Sequence, residues 1–494
     1  MGGLKRFLAV AIAVAFVAPS FDNAWTARTP SLSSHVDPSL RAGEVALVHT
    51  TGGHAGALSL KLSELGATDV RTSAAADTVV ARLSAPALDA VAHDASVTVA
   101  TRDIEVVALD GSRGKSGFEK LDTNTGANNG SHNWTQSGDG TTVAIMDTGI
   151  ADHPDLLGKV RARIDFVNDG NPLADPGGHG TFIAGLIAAN GVMKGVAPNA
   201  SLVSLRVLDA NGRGTLSSVV AAFNWVLQQG QSTKVDVLNL SWGAPQATSY
   251  QKDILSALVE AAWFSGVTVV AASGNEGPTA GSITSPASDP FVVSVGSYND
   301  FGTTSTLDDV FSAFTGVGPT LDGFLKPEVL APGEHVTSLR APGVTYLGAD
   351  GLPIGLPTDL YIHMTGTSAS AAYVSGVAAL VAAARWRYAP TQIKGAIVAS
   401  ERPILGSPAG AVDAANALVR APASVNVGLL PSQALLSVLT TMRRLKVHGV
   451  TWEGVTWDGI TWESVSWESV SWETVSWETV TWEGVTWEDM VNAE

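Results

Sequence analysis

Ser368 stands in Gly366-Thr-Ser368, a small turn-forming triplet that runs into an apolar, Ala-rich stretch continuing to about Ala384. The pattern predicts a buried helix. Its first turn would present the serine hydroxyl beside unpaired backbone N–H groups and the positive end of the helix dipole, a setting suited to an oxyanion. Serine is a weak nucleophile at its own pKa and requires a neighbouring base. His179, flanked by glycines in Gly178-His-Gly-Thr181, starts a second predicted helix, and Asp147 closes the apolar run Thr142–Met146. An imidazole can take the serine proton when a carboxylate holds its tautomer and stabilises the imidazolium. Asn275, in Ser273-Gly-Asn275-Glu-Gly277, offers a side-chain amide that could join the Ser368 backbone N–H in holding an oxyanion. Each residue alone has a plainer reading. Ser368 could be a helix cap, Asp147-Thr-Gly a turn, His179 a helix start and Asn275 a loop residue.

The elements that must position these residues argue for a common site. From Thr141 onward, apolar runs alternate with helical stretches: Thr142–Met146, Ser201–Leu208, Val235–Leu240, Val267–Ala272 and Phe291–Val295 read as strands. Between them Gly180–Ala189, Thr215–Gln229 and Tyr250–Phe264 read as helices, and Pro390–Ser400 follows the Ser368 helix. Buried strands alternating with helices predict an α/β fold, a three-layer, doubly wound and mostly parallel sheet covered on both faces. Ligands bind such sheets beyond the carboxyl ends of the strands. Asp147, Ser241 and Asn275 all fall at those ends.

The ordered motifs resemble the subtilisin-like serine proteases (subtilases, peptidase family S8). They are Val143-Ala-Ile-Met-Asp147-Thr-Gly-Ile with His153-Pro-Asp-Leu156, Gly178-His179-Gly-Thr181 and Leu238-Asn-Leu-Ser-Trp-Gly243. Val269–Gly277, Leu325–Gly333 and Gly366-Thr-Ser368 complete the set. The resemblance implies a serine endopeptidase with Asp147, His179 and Ser368 as the triad and Asn275 as oxyanion donor. It also implies that Ser241-Trp242-Gly243 pairs with the substrate main chain and walls the P1 pocket, with Ala272-Ser273-Gly274 opposite. Neither wall carries a charge, and Glu276 would disfavour an acidic P1 side chain, so the expected preference is apolar or aromatic. Where the family usually has Met, Ala and Pro after the nucleophile, this chain has Ala369, Ser370 and Ala372; Phe182-Ile183 replaces the usual His-Val. None of these changes removes a proton-transfer or oxyanion group. The family often binds calcium, but no carboxylate cluster with calcium-loop spacing stands out, and Asp165, Asp169 and Asp175 read as a solvated loop. No metal ligand is assigned and no cofactor is required.

The flanking sequence divides into further segments. Lys5 and Arg6 precede the apolar run Phe7–Ala18, which reads as a secretory signal within 1–24 and is too short to span a bilayer; a retained anchor is the alternative. Residues 43–110 carry a βαββαβ-like pattern, with strands at Glu44–His49, Thr78–Leu83 and Ser96–Val107 and helices at Ala55–Leu65 and Pro86–Ala92. They predict a small α+β, ferredoxin-like unit. Its position before the catalytic block resembles the family's inhibitory propeptide, an intramolecular inhibitor that the enzyme itself removes. A Gly/Asn/Ser-rich linker, 111–140, leads to the catalytic block 141–420, and a second linker, 421–449, to a five-residue repeat over 450–490. That repeat holds eight of the 14 tryptophans and suggests a β-type solenoid or stacked turns.

Charge and composition limit the alternatives. The net charge of −17 argues against nucleic acid or an anionic membrane as partner, and ten acidic residues with no Lys or Arg lie in 451–494. The absence of cysteine excludes a thiol nucleophile and a disulfide framework. An α/β-hydrolase would need Gly-x-Ser-x-Gly and the order Ser, Asp, His, and an aspartic protease a second Asp-Thr-Gly or a dimer. The leading expectation is a secreted, self-processing endopeptidase acting on polypeptides through an acyl-enzyme, with cell-surface attachment through the repeats left open. A non-catalytic adhesion protein, in which the repeats are the working part, is the reading from another class.

Overall fold

The computed structural model describes residues 36–435 apart from 38–39, 51–52, 74–76, 109–135, 172, 234, 304, 347–358, 408 and 434. The expected signal segment 1–24, most of the linker 111–140 and the repeats 450–490 lie outside the described residues.

The N-terminal unit runs β1 (Val45–Thr50), α1 (Ala55–Glu64), β2 (Thr68–Ser73), β3 (Thr78–Arg82), α2 (Ala85–His93) and β4 (Val97–Arg102). Its strands form an antiparallel sheet in the order β2-β3-β1-β4. Alternation along β1 sends Ala46 and Val48 into a small core with Val79, Ala81, Leu58, Leu62 and Val91. Leu47, on the opposite face, packs into the main body. The strand expected over Ser96–Val107 is broken after Arg102. The chain turns at Asp103-Ile104, and β5 (Glu105–Ala108) leaves the unit's sheet altogether. Asp103 causes the break: its carboxylate accepts the backbone N–H of Ser217 at 2.8 Å and the Ser217 hydroxyl at 2.7 Å, capping a helix of the body.

In that body follow β6 (Thr142–Asp147), β7 (Val160–Asp165), α3 (His179–Ala188), β8 (Ser201–Arg206), β9 (Arg213–Thr215) and α4 (Leu216–Thr233). Next come β10 (Val237–Leu240), β11 (Trp242–Pro245), α5 (Ile254–Phe264), β12 (Thr268–Ala272), β13 (Thr284–Ser285) and β14 (Val293–Asn299). Then follow β15 (Val310–Phe311), β16 (Val329–Pro332), β17 (Val336–Leu339), β18 (Tyr361–Met364), α6 (Thr367–Ala384), α7 (Pro390–Ala399), β19 (Gly410–Ala411) and α8 (Ala414–Val419). The central sheet has the order β19-β16-β14-β12-β10-β6-β8-β7, parallel throughout except for β15 against β14. β6 and β10 are adjacent, yet the chain leaves them on opposite sides, which places a topological switch point and its crevice at their carboxyl ends.

β6, β10 and β12 are buried along their whole length, which explains their unbroken apolar runs. α6 is apolar and long enough to cross a membrane, but 83% of it is buried inside the body. The segment read as the start of a linker at 421 is instead part of this body. Leu435 is fully buried, the Ser432 N–H donates to Glu260 Oε2 at 2.7 Å, and Tyr250 Oη donates to the Leu430 carbonyl at 2.9 Å. The sequence there lacks helix or strand periodicity because the segment is held by scattered anchors rather than by a regular element.

Candidate active site

Asp147 ends β6 and is fully buried. His179 begins α3, and its Nδ1 lies 2.8 Å and 3.0 Å from the two Asp147 carboxylate oxygens. The Thr148 N–H donates to the same Oδ1 at 2.7 Å. With its Nδ1 on the carboxylate, the imidazole is held so that Nε2 is the nitrogen available for chemistry. Gly178 precedes it at φ +78, a conformation that disfavours other residues, and a Cβ there would overlap the Tyr346 hydroxyl.

α3 and α6 pack against each other and both begin at the carboxyl edge of the sheet. Ser368 is the second residue of α6 and is 3% exposed. No side chain of its own chain segment caps this helix. Asn275 does so from the end of β12: its Oδ1 accepts the Thr367 N–H at 3.0 Å and the Thr367 hydroxyl at 2.9 Å. Two donors on Oδ1 fix the amide's orientation, with the Nδ2 donor at its other end. β10 secures the same helix. Ser241 Oγ donates to the Ser368 carbonyl at 3.0 Å and is within 3.0 Å of Asn239 Oδ1, while Asn239 Nδ2 donates to Ser375 at 2.9 Å. A nucleophile on the first turn of a doubly anchored helix costs little reorganisation when charge develops nearby.

β5 lies in the cleft. It pairs antiparallel with β11 on one side, Ala108 opposite Trp242 and Val107 opposite Gly243, and with β9 on the other. Val106 is fully buried in the main core, and Arg213 bonds Glu105 at 2.8 Å. β11 leads away from Ser241, so the antiparallel β5 runs with its carboxyl end toward Ser241 and the start of α6. β5 thus lies as an added strand between β11 and β9.

The segments expected to wall a pocket, 241–243 and 272–274, offer backbone more than side chains. Ser241, Trp242, Ala272 and Ser273 are fully buried, and the Trp242 indole donates to the Met146 carbonyl at 2.8 Å. Glu276 is exposed beside Asn275. Thr284 of β13 fills the space between the walls: a Cβ on Gly243 would lie 2.6 Å from its Oγ1, and one on Gly274 2.7 Å from its Cγ2.

A family model described as the subtilase family matches residues 138–421, more than half of the chain. This chain belongs to the subtilase family. It is 36% identical over 271 residues to the serine protease AprX of Bacillus subtilis, an alignment covering 53% of this chain and 61% of AprX, less than two thirds of that relative. It is also 36% identical over 253 residues to subtilisin Savinase of Lederbergia lenta, covering 51% of this chain and 79% of that one. Fervidolysin of Fervidobacterium pennivorans, described as a keratinolytic enzyme related to subtilisin, shares the fold at TM-score 0.59 and 22% identity, over 81% of this chain and 65% of its own.

Several residues that shape the site in this subtilase were not singled out in the sequence or were misread there. Asp175, expected in a solvated loop, is 1% exposed and bonded on both oxygens within the body. Burial, with the Asp147 charge adding to it, raises its pKa above the ordinary carboxylate range. Its place just ahead of a predicted helix start was a capping signal that could have revealed it. Asp165 and Asp169 do lie at the surface, but both grip Arg206, which is 3% exposed, at 2.8 Å and 2.6 Å. Ser370, a departure from the family pattern, donates to the Ala331 and Pro332 carbonyls at 3.0 Å and 3.2 Å and ties α6 to β16. Phe182, another departure, is fully buried in the core. Asn239, Thr367 and Thr284 carried no signal beyond polar residues near strand or helix ends.

Proposed function

We propose that this subtilase is a secreted serine endopeptidase made as a self-inhibited, self-processing precursor. The observation that carries the reading is β5, a strand of the chain's own N-terminal unit lying along β11 as a substrate main chain would, with its carboxyl end directed at the nucleophile helix. The hydrogen-bonded Asp147–His179 pair and the names of the serine-protease relatives support the chemistry. Ser368 Oγ attacks the peptide carbonyl while His179 Nε2 takes its proton. Asn275 Nδ2 and the Ser368 N–H hold the oxyanion; the imidazolium then gives the proton to the leaving amine. Water, deprotonated by the same imidazole, attacks the acyl-enzyme and restores Ser368. Asp147 keeps the tautomer and stabilises the imidazolium without itself being protonated.

In this reading, the N-terminal unit is the propeptide, and Leu109, one residue beyond the Ala108–Trp242 pair, supplies the first P1 side chain. An apolar P1 suits uncharged walls closed below by Thr284, and exposed Glu276 disfavours an acidic one. Secretion rests on Lys5, Arg6 and the apolar run that follows. The tryptophan repeats, with one acidic residue in each, are read as an attachment element for a cell surface or a partner protein. The test is Ser368→Ala expressed as the full chain. Casein hydrolysis and labelling by a fluorophosphonate probe should both vanish and the unprocessed precursor accumulate. Normal processing by that variant in a protease-free host would overturn the autocatalytic claim.

A further inference from the structure

The bond between Asp147 and His179 joins two elements 32 residues apart in the chain, with β7 and the turns on either side of it between them. Something must hold β6's exit and α3's first turn in register, because a misplacement of about 1 Å at such a pair costs on the order of a hundredfold in rate. Asp175, four residues ahead of His179, reaches both. Its Oδ1 accepts the Thr148 hydroxyl at 2.7 Å and the Gly178 N–H at 2.7 Å; its Oδ2 accepts the Thr181 N–H at 2.7 Å and the Thr181 hydroxyl at 2.5 Å. The two threonines extend the clamp. Thr148 Oγ1 accepts the Gly180 N–H at 2.9 Å and Thr181 Oγ1 accepts the Ala151 N–H at 2.9 Å. One backbone N–H, which can only donate, falls on each oxygen of Asp175, so both oxygens are held as acceptors. The two backbones are also in direct contact, since a Cβ on Gly180 would overlap the Gly149 carbonyl.

We propose that Asp175 is a positioning residue for proton transfer, a buried carboxylate that locks the strand end carrying Asp147 to the helix start carrying His179. The proposal rests on the triad reading above. Thr148, next to Asp147, and Gly178 and Thr181, around His179, all hang on one buried side chain. The clamp also places a second negative charge near the Asp147–His179 pair. Among the described residues, the titratable and charged groups acting on it are Asp147, which ends β6 and bonds His179, and Tyr346, whose hydroxyl contacts the Gly178 carbonyl under the Arg340 guanidinium. Removing that charge makes the imidazolium less favourable, so His179 loses its proton at lower pH.

The experiment compares Asp175→Asn and Thr148→Val with the parent, all as full chains, following the rate of precursor cleavage and then kcat, KM and the pH profile of the processed enzyme. Asn keeps the volume but turns an N–H₂ group toward donors on one side. The expected result for Asp175→Asn is a kcat lowered 10- to 100-fold with KM within twofold, normalised to sites counted by a fluorophosphonate probe. The acid limb of kcat/KM should move to lower pH by about half a unit. Thr148→Val, which breaks one arm and keeps the charge, should lower kcat several-fold and leave the limb in place. If Asp175→Asn yields no folded protein, unchanged kcat in Thr148→Val overturns the proposal by itself. It is overturned equally if Asp175→Asn loses only countable sites while kcat per site and the pH profile stay at the parent values. Activity surviving in His179→Ala would instead bring down the triad reading, so the two failures are told apart.

Discussion

Thr284→Ala tests whether the floor of the cleft sets side-chain preference. Thr284 is 7% exposed, and its Oγ1 and Cγ2 occupy the gap between Gly243 and Gly274. Alanine removes those two heavy atoms. At about 0.8 kcal/mol for each methylene-sized group newly buried by a ligand, the deepened floor should favour a long P1 side chain by roughly 1–1.5 kcal/mol. That is about a tenfold change in relative kcat/KM. The lost hydroxyl contact to the Ser273 carbonyl, 3.2 Å away, costs on the order of 1 kcal/mol of stability but falls equally on all substrates. The assay is kcat/KM on succinyl tetrapeptide p-nitroanilides differing only at P1 as Ala, Leu or Phe. The Phe-to-Ala ratio should rise about tenfold, with Leu between. An unchanged ratio would remove Thr284 from the pocket. A uniform fall for all three substrates would show that it supports the walls rather than contacting the side chain.

Two further outcomes follow from other parts of the molecule. Sequencing the processed enzyme should find its first residue at Asp110, immediately after Leu109; a cut N-terminal to Ala108 would refute the register of β5 against β11. Glu260 and Asp289 are fully buried carboxyls in contact with each other. Burial, and for Glu260 the neighbouring Asp289 charge, raise both, Asp289 to about 7 from 3.8. Raised carboxyl groups hold protons in the folded state that the unfolded chain releases. Stability is therefore full below pH 4 on this account and falls as pH rises through about 7. Glu260→Gln removes the charge repulsion but not the burial cost. In a Ser368→Ala background it should leave the melting temperature at pH 5 unchanged and raise it by several degrees at pH 8; an equal shift at both values would exclude charge repulsion within the pair.

The residues to which we assign the chemistry were legible because each sits where a periodic pattern ends. Asp147 closes an apolar strand, Asn275 follows another, and His179 and Ser368 open helices, so order and placement reinforced one another. What escaped was set by contacts between distant segments. Asp103 breaks a strand-forming run because Ser217, more than a hundred residues later, offers a helix end to cap. Asp175 looked like a surface carboxylate because its four donors come from either side of the loop it belongs to. Thr284 is conspicuous only when Gly243 and Gly274 face each other across it. The stretch 421–435 lacked periodicity, yet Ser432 and Leu435 are buried by α5 and its surroundings.

The placement of β5 separates cutting from switching on. Among the described residues, the contacts that hold the N-terminal unit lie ahead of the bond after Leu109. Severing that bond leaves the strand pairing, the Asp103–Ser217 cap and the buried Val106 intact. The first turnover would thus be silent, and the cleft stays filled until the unit departs. Departure is governed by a unit of about seventy residues, whose own small core gives it modest stability. On the proposed function, each molecule that loses its unit would then digest the units shed by others and prevent their return. Activity in such a population would show a lag followed by a self-accelerating rise, steeper at higher enzyme concentration, so that the delay and not the cut decides when proteolysis begins.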